Sequence, residues 1–187
     1  MAQPGGSGAI GPFPDGVGTE EEQVEYDKLR RRVLWKAPSG LYVIGSTDRA
    51  SRRNGMTLNW LTQVSFEPKL VGISVENTAV THELIAASQV FSVCFVNRED
   101  RAIVRKFTKP VDVDLDAKTL NGFPYFDGAT GAPVLSQSVA YLECEVRNTV
   151  PVGNHSLFVG EVVNTAFLKD EATEVLRMED TRMNYGG

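Results

Sequence analysis

NGMTLNWLTQVSFEPKLVGISVENTAVT, residues 54 to 81, passes from a polar, glycine-bearing segment into an apolar run, Leu70 to Val75, and then into Glu76, Asn77, Thr78 and a helical pattern. Thr57, Asn59, Thr62, Gln63, Ser65, Ser74, Asn77, Thr78 and Thr81 supply neutral hydrogen-bonding groups, and the only charges are Glu67, Lys69 and Glu76. Such a set suits a ring edge and a phosphate ester, so the stretch reads as a cradle for a phosphorylated aromatic ligand. Pro68 separates a strand from the run Lys69 to Glu76, which is apolar at nearly every position and reads as a buried strand. Asn77 or Thr78 can cap a helix that carries Val80, Leu84 and Ile85 at helical spacing. A helix start seats anions through its free amides and dipole, and Thr81 in the first turn adds a hydroxyl.

Working outward toward the N-terminus, Pro38, Ser39 and Gly40 make a turn before LYVIGST, a first strand. Asp48 to Gly55, with its Asn-Gly pair, reads as a hairpin connection, and Arg49, Arg52 and Arg53 as a solvated loop. Farther upstream, acidic Glu20 to Glu22 precede Val24, Leu29, Val33 and Leu34 and the basic stretch Lys28 to Arg32. That charge order predicts a helix. Residues 1–18, rich in Gly and Pro, predict a flexible arm, and residues 19–187 a single domain.

Toward the C-terminus, VFSVCFVN (residues 90–97) reads as a strand and Glu99 to Lys106 as a short helix with Ile103 and Val104 turned inward. Phe107 to Val134 is punctuated by Pro110, Gly122, Pro124, Gly128, Gly131 and Pro133. It reads mostly as an ordered loop, with Val111 to Leu115 a short extended piece. SVAYLECEVRNTVPV alternates apolar residues with Glu143, Glu145 and Arg147, the mark of a half-exposed strand. Gly153 and Asn154 then turn the chain into a long final strand, HSLFVGEVVNTAFL. The pattern is mainly β, an antiparallel barrel with a few peripheral helices.

Hydrophobic residues at 42% and charged residues at 23% of 187 are ordinary for one globular domain. A net charge of -5 argues against a nucleic-acid or anionic-membrane partner. Cys94 and Cys144 lie inside apolar runs and read as buried thiols. His82 and His155 lack ligand spacing, so no metal site is predicted. No run approaches a membrane span, and the first residues lack the pattern of a signal peptide, so a cytoplasmic protein is expected.

Three segments, NGMTLNWLTQVSFEPKLVGISVENTAVTHELI, FSVCFVN and GNHSLFVGEVV, together resemble the flavin reductase family of FMN-binding split barrels, over about residues 30 to 187. The resemblance implies a six-stranded antiparallel Greek-key split β-barrel that dimerises, with FMN or FAD in a groove near the subunit interface. It implies that Thr57, Leu58, Asn59 and Trp60 run beside the isoalloxazine, and that Ser74, Val75, Asn77, Thr78 and Thr81 hold the ribityl chain and phosphate. It also implies NADH or NADPH as electron donor and a partner monooxygenase that takes the reduced flavin. The family's late Gly-Asp-His motif reads Gly153, Asn154, His155 here. His155 is the candidate catalytic residue on the nicotinamide side, and an Asn neighbour supports a charged imidazolium less than an Asp would. An alternative within reach of the same residues is an FMN-binding electron carrier that does not use NAD(P)H directly.

Overall fold

The computed structural model describes residues 11–183, so most of the expected arm, residues 1–10, lies outside the described residues. The described residues divide into two compact units, residues 39–182 and residues 11–38 with 183. In the smaller unit, α1 spans Glu20–Leu34. It starts in a capping box in which the Thr19 hydroxyl accepts from the Glu22 amide and the Glu22 carboxylate accepts from the Thr19 amide. Its charges run as read, acidic in the first turn and basic in the last. The Arg30 guanidinium stands 5.2 Å from the Phe13 ring centroid and 5.6 Å from that of Tyr26, a cation–π contact within this unit.

The larger unit is mainly β, with few helices. Its main sheet has seven antiparallel strands in the order β2-β1-β5-β10-β11-β4-β3. They are β1 (Tyr42–Thr47), β2 (Arg53–Leu58), β3 (Leu61–Ser65), β4 (Leu70–Glu76), β5 (Val90–Phe95), β10 (Ala140–Val152) and β11 (His155–Phe167). Six runs of sequence become seven strands because the second run breaks at Asn59 and Trp60, which end β2 and begin β3. The hydrogen-bonded order does not close: β2 and β3 are its two edges. Strands about 4.8 Å apart would put the edges of a flat sheet of this size about 29 Å from each other. Leu58 and Leu61 are three Cα steps apart, at most about 11 Å. The sheet therefore curls until its edges meet at the Asn59–Trp60 corner.

Inside the curl sits a core of Ile44, Leu58, Val71, Ile73, Val75, Ile85, Phe91, Val93, Cys144 and Phe158, all buried. Both cysteines are free and buried, as read, and burial pushes the Cys144 thiol up to about 12. Helix α2 (Val80–Ser88) lies against β1, β2 and β4 and turns Thr81, Leu84, Ile85 and Ser88 inward. Gly160 on β11 has to be glycine: a Cβ there would come within 2.7 Å of the Phe91 ring and 2.8 Å of the Cys144 Cβ.

Between α3 (Ile103–Lys106) and β10, the stretch read mostly as loop forms a second, four-stranded sheet: β6 (Val113–Asp114), β7 (Thr119–Leu120), β8 (Phe123–Asp127) and β9 (Pro133–Leu135). β6 falls within the extended piece read at Val111 to Leu115, whereas the other three, two to five residues long and broken by glycine and proline, carry no period that a sequence reading can detect. The Ser92 hydroxyl donates to the Pro133 carbonyl at 2.6 Å, and the Leu135 amide donates to Cys94 Sγ at 3.3 Å, so β9 is tied to β5.

Two local expectations are corrected. Glu143, read as a solvent-facing position of β10, has no exposed surface, because the turn at Gly128 to Thr130 covers the face opposite the core and donates to its carboxylate. Arg53, read as loop, belongs to β2 and is held by Asp127 at 3.0 Å and by the Thr47 hydroxyl at 2.7 Å.

Candidate functional site

The corner where β2 passes into β3 gathers part of the set singled out in the sequence. On β4, Val71, Ile73 and Val75 point into the core, so Ser74 and Glu76 face the other way. Register on β11 pairs Leu157 with Ser74 and His155 with Glu76, which brings His155 to the same outer face. The Trp60 carbonyl accepts from the Ser74 amide at 3.2 Å, and the Trp60 ring meets His155 with centroids 5.1 Å apart at 58°. Trp60 remains 37% exposed, so the pair forms an aromatic wall open to solvent.

His155 Nδ1 lies 2.8 Å from Asn154 Oδ1, which steadies the ring. Its Nε2 is buried without a hydrogen-bond partner among the described residues. An unsatisfied buried ring nitrogen beside an exposed aromatic ring is what an incoming polar group would complete.

The turn from β4 into α2 is built from Asn77, Thr78 and Ala79. The cap position is Ala79, not Asn77 or Thr78 as the sequence pattern suggested, and no side chain caps the helix. Side-chain oxygens are thus kept off the first-turn amides, which stay available to another acceptor. Asn77 donates its backbone amide to the Asn154 carbonyl at 3.0 Å, which ties this turn to the Gly153–Asn154 turn. Ser156 Oγ donates to Asn77 Oδ1 at 3.0 Å and lies 2.9 Å from His82 Nε2. Sequence reasoning left both His82 and Ser156 out; the β4–β11 register, invisible in one chain segment, is what joins them.

The remaining singled-out residues point elsewhere. Thr57 faces α3: its hydroxyl donates to the Val104 carbonyl and its amide to the Phe107 carbonyl at 3.0 Å. Thr81 has no exposed surface, and its hydroxyl accepts from the Asn54 side-chain amide at 2.9 Å. Leu58 and Val75 are core residues, Asn59 is buried at the corner, and Thr78 is exposed beside the helix start. The structure thus brings together Trp60, Ser74, Asn77, Thr78 and His155, leaves Leu58 and Asn59 at the joint behind them, and engages the Thr57 and Thr81 hydroxyls internally.

An open aromatic wall, neutral donors and an uncapped helix start on a curled antiparallel sheet are combined with a match of residues 34–187 to the flavin reductase like domain. The chain belongs to this family. An NADH-dependent FAD reductase of Streptomyces globisporus is 33% identical over 140 residues, covering 71% of this chain and 72% of that protein. A high molecular weight rubredoxin of Moorella thermoacetica is 31% identical over 139 residues, 73% of this chain, and the chain spans only 59% of its length. Among solved structures of similar fold is the NADH:FAD oxidoreductase SgcE6 of Streptomyces globisporus C-1027 in complex with NAD and FAD fragments. It has a TM-score of 0.69 at 30% identity, covering 82% of this chain and 88% of that one. Among the described residues, no helix is long and apolar enough to cross a membrane.

Proposed function

We propose that this chain is an NAD(P)H-dependent flavin reductase. It passes hydride from a nicotinamide to FMN or FAD and supplies the reduced flavin to a monooxygenase or similar acceptor. The observation that carries the reading is the uncapped start of α2 beside the Trp60–His155 wall, within a family whose relatives are named as NADH-dependent FAD reductases. The residues present fit a flavin. The uncapped start of α2, with Asn77, Thr78 and Ser74, suits a ribityl phosphate, and Trp60, backed by Leu58 and Asn59, marks the corner where a ring would lie. When bound, the flavin supplies the ring that accepts the hydride.

The chain's own residues bind, orient and exclude water. Trp60 offers a face and edge for a planar ring to lie against, and Val75 and Leu58 stiffen the strands behind it. His155, steadied at Nδ1 by Asn154, offers its unpartnered Nε2 to the nicotinamide carboxamide and orients it. Holding donor and acceptor rings in near-attack contact is the main lever available, since no side chain needs to form a bond.

The fold belongs to the same proposal: β2 and β3 act as one bent strand, giving a six-stranded Greek-key split barrel within the domain of residues 19–187. The chain works as a cytoplasmic homodimer. Exposed Val150 and Val152 at the tip of the β10–β11 hairpin, with Trp60, offer apolar surface that a second copy would cover.

Purified protein with added FMN or FAD should oxidise NADH or NADPH, followed at 340 nm, well above the flavin-only rate. No acceleration with either nucleotide would overturn the reading. The rubredoxin relative keeps a second reading in view, an FMN-binding electron carrier. Rapid stopped-flow bleaching of bound flavin by NADH excludes the carrier, and bleaching by a protein donor alone excludes the reductase.

A further inference from the structure

We propose that His82 and Ser156 are positioning residues that decide which side of the Asn77 amide meets the ligand, so that Asn77 offers its NH2 group as a donor to an anionic phosphate ester. The inference rests on the site reading above and assigns two residues that the reading does not use.

Three groups form a line: His82 Nε2, 2.9 Å from Ser156 Oγ, which donates across 3.0 Å to Asn77 Oδ1. Ser156 is only 7% exposed, so its hydroxyl finds its partners within the protein. A hydroxyl has one proton. If it goes to Asn77 Oδ1, the Ser156 oxygen accepts from His82, which then carries its proton on Nε2, and the Asn77 NH2 group turns outward. The reverse arrangement needs the Asn77 amide turned over from the orientation the structure holds. Ser156 donates to a bare His82 Nε2, Asn77 donates to Ser156, and the Asn77 carbonyl turns outward.

The two arrangements present opposite polarity to whatever lies beyond Asn77. An anion accepts hydrogen bonds, so it selects the first and is repelled by the second. Asn77 is exposed, directly precedes the uncapped start of α2, and is anchored through its backbone amide to Asn154. Its outward group therefore adds to the first-turn amides as one more donor. His82 is itself held against the Phe158 ring, with centroids 5.1 Å apart, so the line has a fixed end. A lone exposed asparagine would sample both orientations; the buried hydroxyl and imidazole bias it, and ligand binding couples to the His82 tautomer.

The test compares FMN with riboflavin, which lacks the phosphate, by titration calorimetry on the full chain. The native protein should prefer FMN. Ser156→Ala and His82→Phe should each cut that preference by about tenfold, the scale of one charge-assisted hydrogen bond, with riboflavin affinity unchanged. An unchanged preference in both variants overturns the proposal. A second measurement needs no variant: nitrogen-15 NMR of the His82 ring should show Nε2–H when FMN is bound and a mixture with riboflavin. An Nδ1–H ring under saturating FMN overturns the proposal. Equal native affinities for FMN and riboflavin also overturn it while leaving the flavin site standing, whereas binding of neither flavin overturns the site reading itself.

Discussion

Glu143 is a carboxylate with no exposed surface, and four donors account for it. The amides of Ala129 and Thr130 reach it at 3.0 and 2.8 Å, the Thr130 hydroxyl at 2.7 Å and the Asn164 amide at 2.6 Å. Burial pushes its pKa up, but the bonds from Thr130, Asn164 and Ala129 outweigh burial and hold it below the usual range. Gly128 belongs to the same clasp, since a Cβ there would lie 2.2 Å from the carboxylate. Glu143→Ala should therefore lower stability by on the order of 3 kcal/mol, measured by urea unfolding at neutral pH. The folded pKa is the depressed one, so the stabilisation is complete above the unfolded value of about 4.3 and is lost as pH falls through the lower folded value. The gap between native and variant urea midpoints should narrow from pH 6 toward acid; a constant gap would mean the carboxylate is not the source. For His155, the unpartnered Nε2 gives a second expectation. His155→Ala should slow flavin reduction in stopped flow by about tenfold, the scale of one orienting hydrogen bond, and weaken flavin binding less. The opposite order would assign His155 to the flavin shell.

At the scale of elements, the start of α2 is the informative feature. Ala79 leaves the first-turn amides uncapped, which costs stability relative to a Ser cap by about 1 kcal/mol. Ala79→Ser should recover that amount in a thermal melt and weaken FMN, because the new hydroxyl competes for the same amides. A variant that gains stability with unchanged FMN affinity would put the phosphate elsewhere. The helix itself was legible from the spacing of Leu84 and Ile85, whereas its cap was not: the sequence pattern favoured Asn77 or Thr78. Asn77 is diverted because β11 runs beside it, its amide serving Asn154 and its side chain serving Ser156. Thr81 shows the same limit. A hydroxyl in a first helical turn looks available, but Asn54 on β2 claims it.

At the scale of the molecule, the curled sheet orders stability. β1, β5, β10, β11 and β4 are paired on both sides, while β6 and β7 are two residues each. Amide exchange should accordingly be slowest in Val90–Phe95 and the facing parts of β10, and fastest among strands in Val113–Leu120. Uniform protection across both sheets would contradict this. Much of this architecture follows from local pattern alone. Alternation and apolar runs marked β1, β4, β5, β10 and β11, acidic-to-basic charge order marked α1, and the three separated motifs marked the family. Each is a property of a short window, where side-chain period and backbone preference suffice. The tertiary structure alone decided that Asn59 and Trp60 join opposite edges of one sheet, that the glycine- and proline-rich stretch after Phe107 folds into a second sheet, and that Glu143 is buried. It also decided that Trp60, Ser74, Asn77 and His155 meet while Thr57 and Thr81 turn to other partners. These are matters of register and closure, in which residues far apart in the chain compete for the same hydrogen bond, and no single window of sequence contains both competitors.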